Sequence, residues 1–220
     1  MREVELIKKG FGLILYKSFL RFKWNYLLNR NGNRFSCSGR LINCTIDVKG
    51  TGNLIEIGRD VKLNNVRISI TGDGHTLKIG NGTVWNEWGW IRIEDENNSV
   101  IIGDNGDFRG CFFTCSDKNT AINIGEDCLF SADVVLRTSD SHSVLDEAGE
   151  RINPGRSVEI GRHVWIGNGA NVLKGSTVGD NSIVGTMSVV SGKTIPQGSI
   201  VAGNPAKILR GGVNWCKSRI

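Results

Sequence analysis

Proline, tyrosine, methionine and histidine are scarce in this 220-residue chain, at three, two, two and three residues. Three prolines leave no room for a proline-rich linker, and the 29 glycines lack the three-residue period of a collagen. Six cysteines (Cys37, Cys44, Cys111, Cys115, Cys128 and Cys216) form no Cys-x-x-Cys pair, and their spacing fits neither a zinc site nor a compact disulfide framework. They read as reduced cytosolic thiols. Glycine loops of the G-x-G-x-x-G or G-x-x-x-x-G-K-[ST] kind are missing, so a nucleotide held in such a loop is not indicated. No uninterrupted apolar run is long enough to span a bilayer, and no small-residue cleavage site follows the N-terminal segment.

Charge is also short outside one region. The formal net charge is +5, and seven Lys and Arg against Glu3 and Glu5 in residues 1–30 account for all of it. Residues 31–220 hold twenty charges of each sign, which argues against a broad nucleic-acid-binding face. Residues 3–29 can be drawn as a basic amphipathic helix with Phe11, Ile14, Leu15, Phe19, Phe22 and Tyr26 on its apolar side. Such a helix either caps the open end of the main domain or lies on an anionic membrane surface. The expected division is a helical segment over 1–32, one large domain over 33–204 and a tail over 205–220.

What the chain has in abundance is a six-residue period. Ile160, Ile166, Val172, Val178, Val184 and Val190 open six consecutive hexads, and Val164, Ala170, Ser176, Ser182, Ser188 and Thr194 follow four places later. A helix demands periods of three and four and a simple strand a period of two, so a strict six points to a three-sided coil. Each hexad makes one short strand and one corner, the opener faces inward, and three hexads close an 18-residue turn. Asn168, Gly169, Gly175, Gly179 and Gly185 suit corners with positive φ.

Upstream the signal loosens into Ile-Gly pairs at Ile57-Gly58, Ile79-Gly80, Ile102-Gly103 and Ile124-Gly125, spaced 22, 23 and 22 apart. These read as 18-residue coils with short excursions around Thr71–Gly74, Glu94–Ser99 and Ser116–Thr120. From Ile124 to Ile160 the gap is 36, and residues 137–157 carry no hexad, so one coil plus a long protruding loop is expected.

On this repeat the chain resembles the hexapeptide-repeat acyltransferases, whose fold is an all-β left-handed parallel β-helix, here of about seven to eight coils. The handedness comes from the resemblance alone. Thr138-Ser-Asp-Ser-His142-Ser-Val, followed by Val158-Glu-Ile-Gly-Arg-His-Val-Trp165-Ile-Gly-Asn-Gly, is similar to the bacterial capsule and polysaccharide O-acetyltransferases. That resemblance implies an acetyl-CoA-dependent enzyme acting on a sugar hydroxyl of a surface glycan or its precursor. It implies a homotrimer with the coenzyme between prisms, with no metal and no nucleic acid as partner. The implied location is cytoplasmic, with residues 3–29 as a peripheral contact to the inner membrane.

A sugar hydroxyl is a poor nucleophile at neutral pH and needs a base, and His142 is the candidate. Trp165 would donate its indole N–H to the acceptor oxygen, the oxyanion or the departing sulfur. Asp140 or a loop carbonyl would fix the tautomer of His142. By resemblance, Gly185, Thr186, Ser191 and Ala202 would line the pantetheine groove, and Lys193, Lys207 and Arg210 would face the coenzyme phosphates, Lys193 displaced one place by the step Val190-Ser-Gly-Lys-Thr-Ile195. In Trp85-Asn-Glu-Trp88-Gly-Trp90, Trp85 reads as core, while Trp88 and Trp90 read as an acceptor platform or a subunit interface. His75 and His163 read as structural, and the spacing of the three histidines does not suit the zinc site of carbonic anhydrases on this fold. Two alternatives stand beside the main reading: N-acetylation of a nucleotide-linked amino sugar, and a non-catalytic scaffold.

Overall fold

The computed structural model describes residues 31–218. Among these residues there are 24 strands and no helix, arranged as three parallel sheets that form the faces of a prism. The basic segment expected to be helical, residues 3–29, lies outside the described residues.

The first face stacks Arg34–Cys37, Leu54–Ile57, Thr76–Ile79, Ser99–Ile102, Ala121–Ile124, Val158–Ile160, Thr177–Val178 and Thr194–Ile195. The second runs from Arg40–Ile42 to Ile200–Ala202, and the third from Thr45–Lys49 to Val189–Val190. About seven turns result. The Ile-Gly pairs fall in one inward column, Ile57 over Ile79, Ile102, Ile124, Ile160 and Val178. Register is strict because β side chains alternate between faces, so a one-residue slip would turn every Ile and Val of the column outward.

The extra residues of the wide coils lengthen the third face, where Val66–Asp73 and Gly89–Glu96 are eight residues long against two or three in the later coils. A longer perimeter encloses a wider interior, and the aromatic core sits in these coils and just after them. Trp85, Phe108, Phe113 and Phe130 are fully buried, with ring centroids 4.9–6.0 Å apart in tilted and edge-on pairs. The narrower coils after residue 158 are filled by Ile and Val. From the same region a loop of residues 138–157 leaves the edge between third and first faces, and Ile124 pairs directly with Ile160 beyond it.

The hexad reading needs two corrections. Thr194 is exposed, because the step from Val190 to Ile195 is one residue shorter than its predecessors and leaves no place for a corner side chain. Asn168, Gly179 and Gly185 are not positive-φ corners; at the two glycines a Cβ would lie 2.5 Å from the Gln197 amide and 2.9 Å from the Ala202 Cβ, so close approach of the next coil excludes a side chain. The left-handed residues form a column on each edge: Asn65, Glu87, Gly110, Asp133, Gly169 and Met187 on one, Asp60, Gly82, Asn105, Asp127, His163 and Asn181 on another, and Gly52, Gly74, Asn97, Asn119, Gly175 and Gly192 on the third. At the C-terminal end, Lys207–Arg210 turns back antiparallel onto Ile200–Ala202.

Candidate active site

His142 rides on the protruding loop, which is built as a small hairpin. Gly149 takes a positive φ at its tip, the Asp146 carboxylate accepts the Ala148 and Glu150 amides, and Leu145 bridges Arg151. Arg151 then clamps the loop to the coil below through two bonds to Asp117, at 3.2 and 2.6 Å. Asn153 is the hub of the base of the loop. Its side-chain amide donates to the His142 carbonyl (2.9 Å) and to Asp140 (2.8 Å), while its oxygen accepts the Val144 amide (2.7 Å).

The imidazole of His142 is exposed, and among the described residues no group hydrogen-bonds its ring. Of the two groups considered for fixing its tautomer, Asp140 makes no bond to the ring. Lys174 and Asn153 hold that carboxylate instead, and their donors depress its pKa below the ordinary value. Lys174 and Asn153 were not anticipated from sequence, since both sit at positions that read as plain polar surface.

Trp165 starts the strand Trp165–Ile166 on the second face, its indole pointing outward and 38% exposed while Ile166 points into the core. Its Nε1 makes one long contact, 3.5 Å to Ser131 Oγ. The second face lies opposite the edge that carries the loop, so one protomer does not bring Trp165 to His142.

His163 stands in the left-handed corner column directly above Asp127. Its Nδ1 pairs with Asp127 (2.6 Å), its Nε2 donates to the Trp215 carbonyl (2.8 Å), and its ring stacks on Trp215 at 4.1 Å. His75 is fully buried as a hydrogen-bonded rung between coils. Among the described residues no three His, Cys, Asp or Glu side chains are placed to hold a metal ion.

The residues expected along the coenzyme divide between places. Gly185, Thr186 and Ala202 lie around the edge between second and third faces, whereas Ser191 and Lys193 lie on the edge that also carries the loop. The Gly185 amide is not free for a ligand, because it donates to the Val201 carbonyl at 2.7 Å. Lys193 is likewise engaged, donating to the Ala206 carbonyl (2.9 Å). Lys207 and Arg210, exposed on the returning strand, make no side-chain bond or ion pair among the described residues.

Trp85 is core, as expected. Trp88 is 61% exposed and meets Phe112 edge-on at 4.7 Å, and Trp90 lies outward on the third face between Arg67 and Arg92, whose guanidinium carbons stand 5.2 and 5.6 Å from its ring. A shallow groove of about 460 Å³ on the first face, lined by Ser36, Glu56, Lys78 and Ile101 among others, contains none of these residues.

Residues 157–192 match the family model described as bacterial transferase hexapeptide (six repeats). A polysialic acid O-acetyltransferase of Escherichia coli O1:K1 / APEC is 35% identical over 127 residues, which make up 57% of this chain and 41% of that relative. The chain therefore spans less than half the length of the curated relative that it matches. Among solved structures, the polySia-specific acetyltransferase NeuO is similar with a TM-score of 0.64 and 27% identity, covering 83% of this chain and 86% of the NeuO chain. The polysialic acid O-acetyltransferase OatWY is similar with a TM-score of 0.57 and 26% identity over 84% and 93% of the two chains.

Proposed function

We propose that the chain is an acetyl-CoA-dependent O-acetyltransferase of a bacterial surface polysaccharide, folded as a left-handed coil and active as a trimer. The observation that carries this reading is the loop. Twenty residues interrupt an otherwise regular prism, and ion pairs and Asn153 secure them so that His142 is presented outward with its ring exposed. The names of the similar proteins support polysialic acid as the first acceptor to try.

In the reaction the sugar hydroxyl oxygen attacks the thioester carbonyl while His142 removes its proton. The resulting oxyanion collapses, the C–S bond breaks, and the thiolate leaves and takes up the proton from His142. Trp165 can only donate, so it serves the acceptor oxygen, the oxyanion or the departing sulfur. Because His142 and Trp165 lie on opposite sides of one prism, a complete site takes His142 from one protomer and Trp165 from the next. Trp88, Trp90 and the flanking Arg67 and Arg92 offer stacking faces and cations suited to a carboxylated sugar chain. Lys207 and Arg210 remain available for the coenzyme phosphates.

The test is release of free thiol from acetyl-CoA with polysialic acid and neutral capsular oligosaccharides, with mass spectrometry of the product. His142→Ala is expected to cut turnover by about a hundredfold or more, and an unchanged rate would end the proposal for the base. Co-expression of His142→Ala with Trp165→Ala is expected to restore activity, since some sites in mixed trimers keep both residues. An amide formed on a nucleotide-linked amino sugar would move the chain to N-acetylation.

A further inference from the structure

The segment after the returning strand does not leave the prism. It descends the edge between first and second faces: the Val213 amide donates to the Gly198 carbonyl (2.9 Å), Trp215 covers His163, and Lys217 reaches Asp127 (2.7 Å). Gly198, Asn181, His163 and Asp127 are the same corner in four successive coils. The four steps from Val213 to Lys217 rise about 13 Å when extended, and three coil spacings are about 14 Å, so the segment is a strap laid straight across the stack.

Its fastening is reciprocal. The Trp215 indole donates to the His163 carbonyl (2.7 Å), and His163 Nε2 donates back to the Trp215 carbonyl (2.8 Å). The rings are nearly parallel, at 10°, and Asp127 holds both His163 and Lys217. The other face of the contact is Trp165, whose ring centroid lies 6.0 Å from that of Trp215 at a tilt of 47°, within the range of a favourable aromatic pair.

We infer that Trp215 is a positioning residue for Trp165, and that the strap held by His163 and Asp127 forms one wall of the acetyl-transfer site. This rests on the proposed role of Trp165, whose own indole N–H has no close partner to fix it. Without Trp215 the exposed Trp165 ring is free to change rotamer, and its N–H leaves the line to the reacting atoms.

Two readouts separate the strap from the reaction. Hydrogen exchange followed by mass spectrometry reports the strap in the absence of any substrate: Trp215→Ala and His163→Ala are expected to release residues 211–218, with melting temperatures close to wild type. In turnover, both variants are expected to lose kcat by about tenfold or more with little change in KM for acetyl-CoA, and the double variant to lose no more than either alone. In a Trp165→Phe background, Trp215→Ala is expected to have no further effect on kcat. Trp215→Phe, which keeps the stack but loses one bond, should fall between wild type and Trp215→Ala. A released strap with full activity, or additive losses with Trp165→Phe, would overturn the positioning role. Unchanged exchange in His163→Ala would overturn the fastening. If Trp165→Phe is itself fully active, the proposed role of Trp165 fails, while the exchange data still decide the strap.

Discussion

Replacing His75 tests how the coils are joined. Along the edge between third and first faces, one polar side chain per coil accepts the backbone amide of the next: Asn33 Oδ1 from Asn53 (2.9 Å), Asn53 Oδ1 from His75 (2.8 Å), His75 Nδ1 from Asn98 (3.1 Å) and Asn98 Oδ1 from Thr120 (2.7 Å). His75 Nε2 completes its rung by donating to the Thr71 carbonyl at 3.3 Å. An Asn at this place can accept and donate in the same way, as Asn53 and Asn98 do. Leucine fills a similar volume and can do neither, leaving the Asn98 amide and the Thr71 carbonyl unpaired inside the protein. At about 1–3 kcal/mol for each stranded group, His75→Leu should cost about 3 kcal/mol, and His75→Asn about 1 kcal/mol for lost packing. In a chain of this size those costs lower the melting temperature by about 6–12 °C and 2–4 °C, read by far-UV circular dichroism. The two variants should also differ from wild type in pH dependence. Burial lowers the His75 pKa, so the folded state favours the neutral ring and the unfolded state takes up a proton first. The stabilisation is therefore complete above the unfolded value of about 6.5 and is lost as pH falls through it. His75→Asn should lose stability less steeply than wild type between neutral and mildly acid pH. Equal melting of the Leu and Asn variants, or an unaltered acid slope in His75→Asn, would refute the ladder.

Two further outcomes follow from the same geometry. Burial pushes the Cys128 thiol up to about 12 and the Cys111 and Cys115 thiols also upward, so iodoacetamide at pH 8 should label Cys216 quickly, half-buried Cys37 and Cys44 slowly, and the three core thiols only on unfolding; early labelling of the core set by mass spectrometry would contradict the packing. Gly72→Ala would set a Cβ 1.8 Å from the Asp95 carbonyl oxygen at a φ of +122°, so it should abolish soluble folded protein, whereas Gly149→Ala, in open space at the loop tip, should cost only about 1–2 kcal/mol for its φ of +82°.

The prism was legible because its physics is periodic. A residue that must face inward once per side recurs in sequence at that spacing, so Ile160 through Val190 and the four Ile-Gly pairs betray both the coil and its register. The loop was legible by subtraction, as the one stretch where the period stops. Corner chemistry was not, because glycine answers two different demands: Gly169 supplies a positive φ, while Gly185 supplies room for the next coil, and a sequence does not distinguish them. At the site, the residue types His142 and Trp165 carried their own chemical argument, but their partners did not. Lys174 and Asn153 act on the loop through distances that only the closed coil creates. Trp215 lies 52 residues from His163 in a segment with no repeat, and nothing local marks it as their companion.

The returning strand has a consequence for assembly. A stack of parallel coils ends in a row of unpaired amides and carbonyls, which invites another stack to continue it as a filament. Lys207–Arg210 occupies that row on the second face with its direction reversed and all four residues exposed. A newcomer arriving there meets a strand of the wrong polarity to extend the coil, flanked by two cations, so the second face is not continued by a parallel strand at this end.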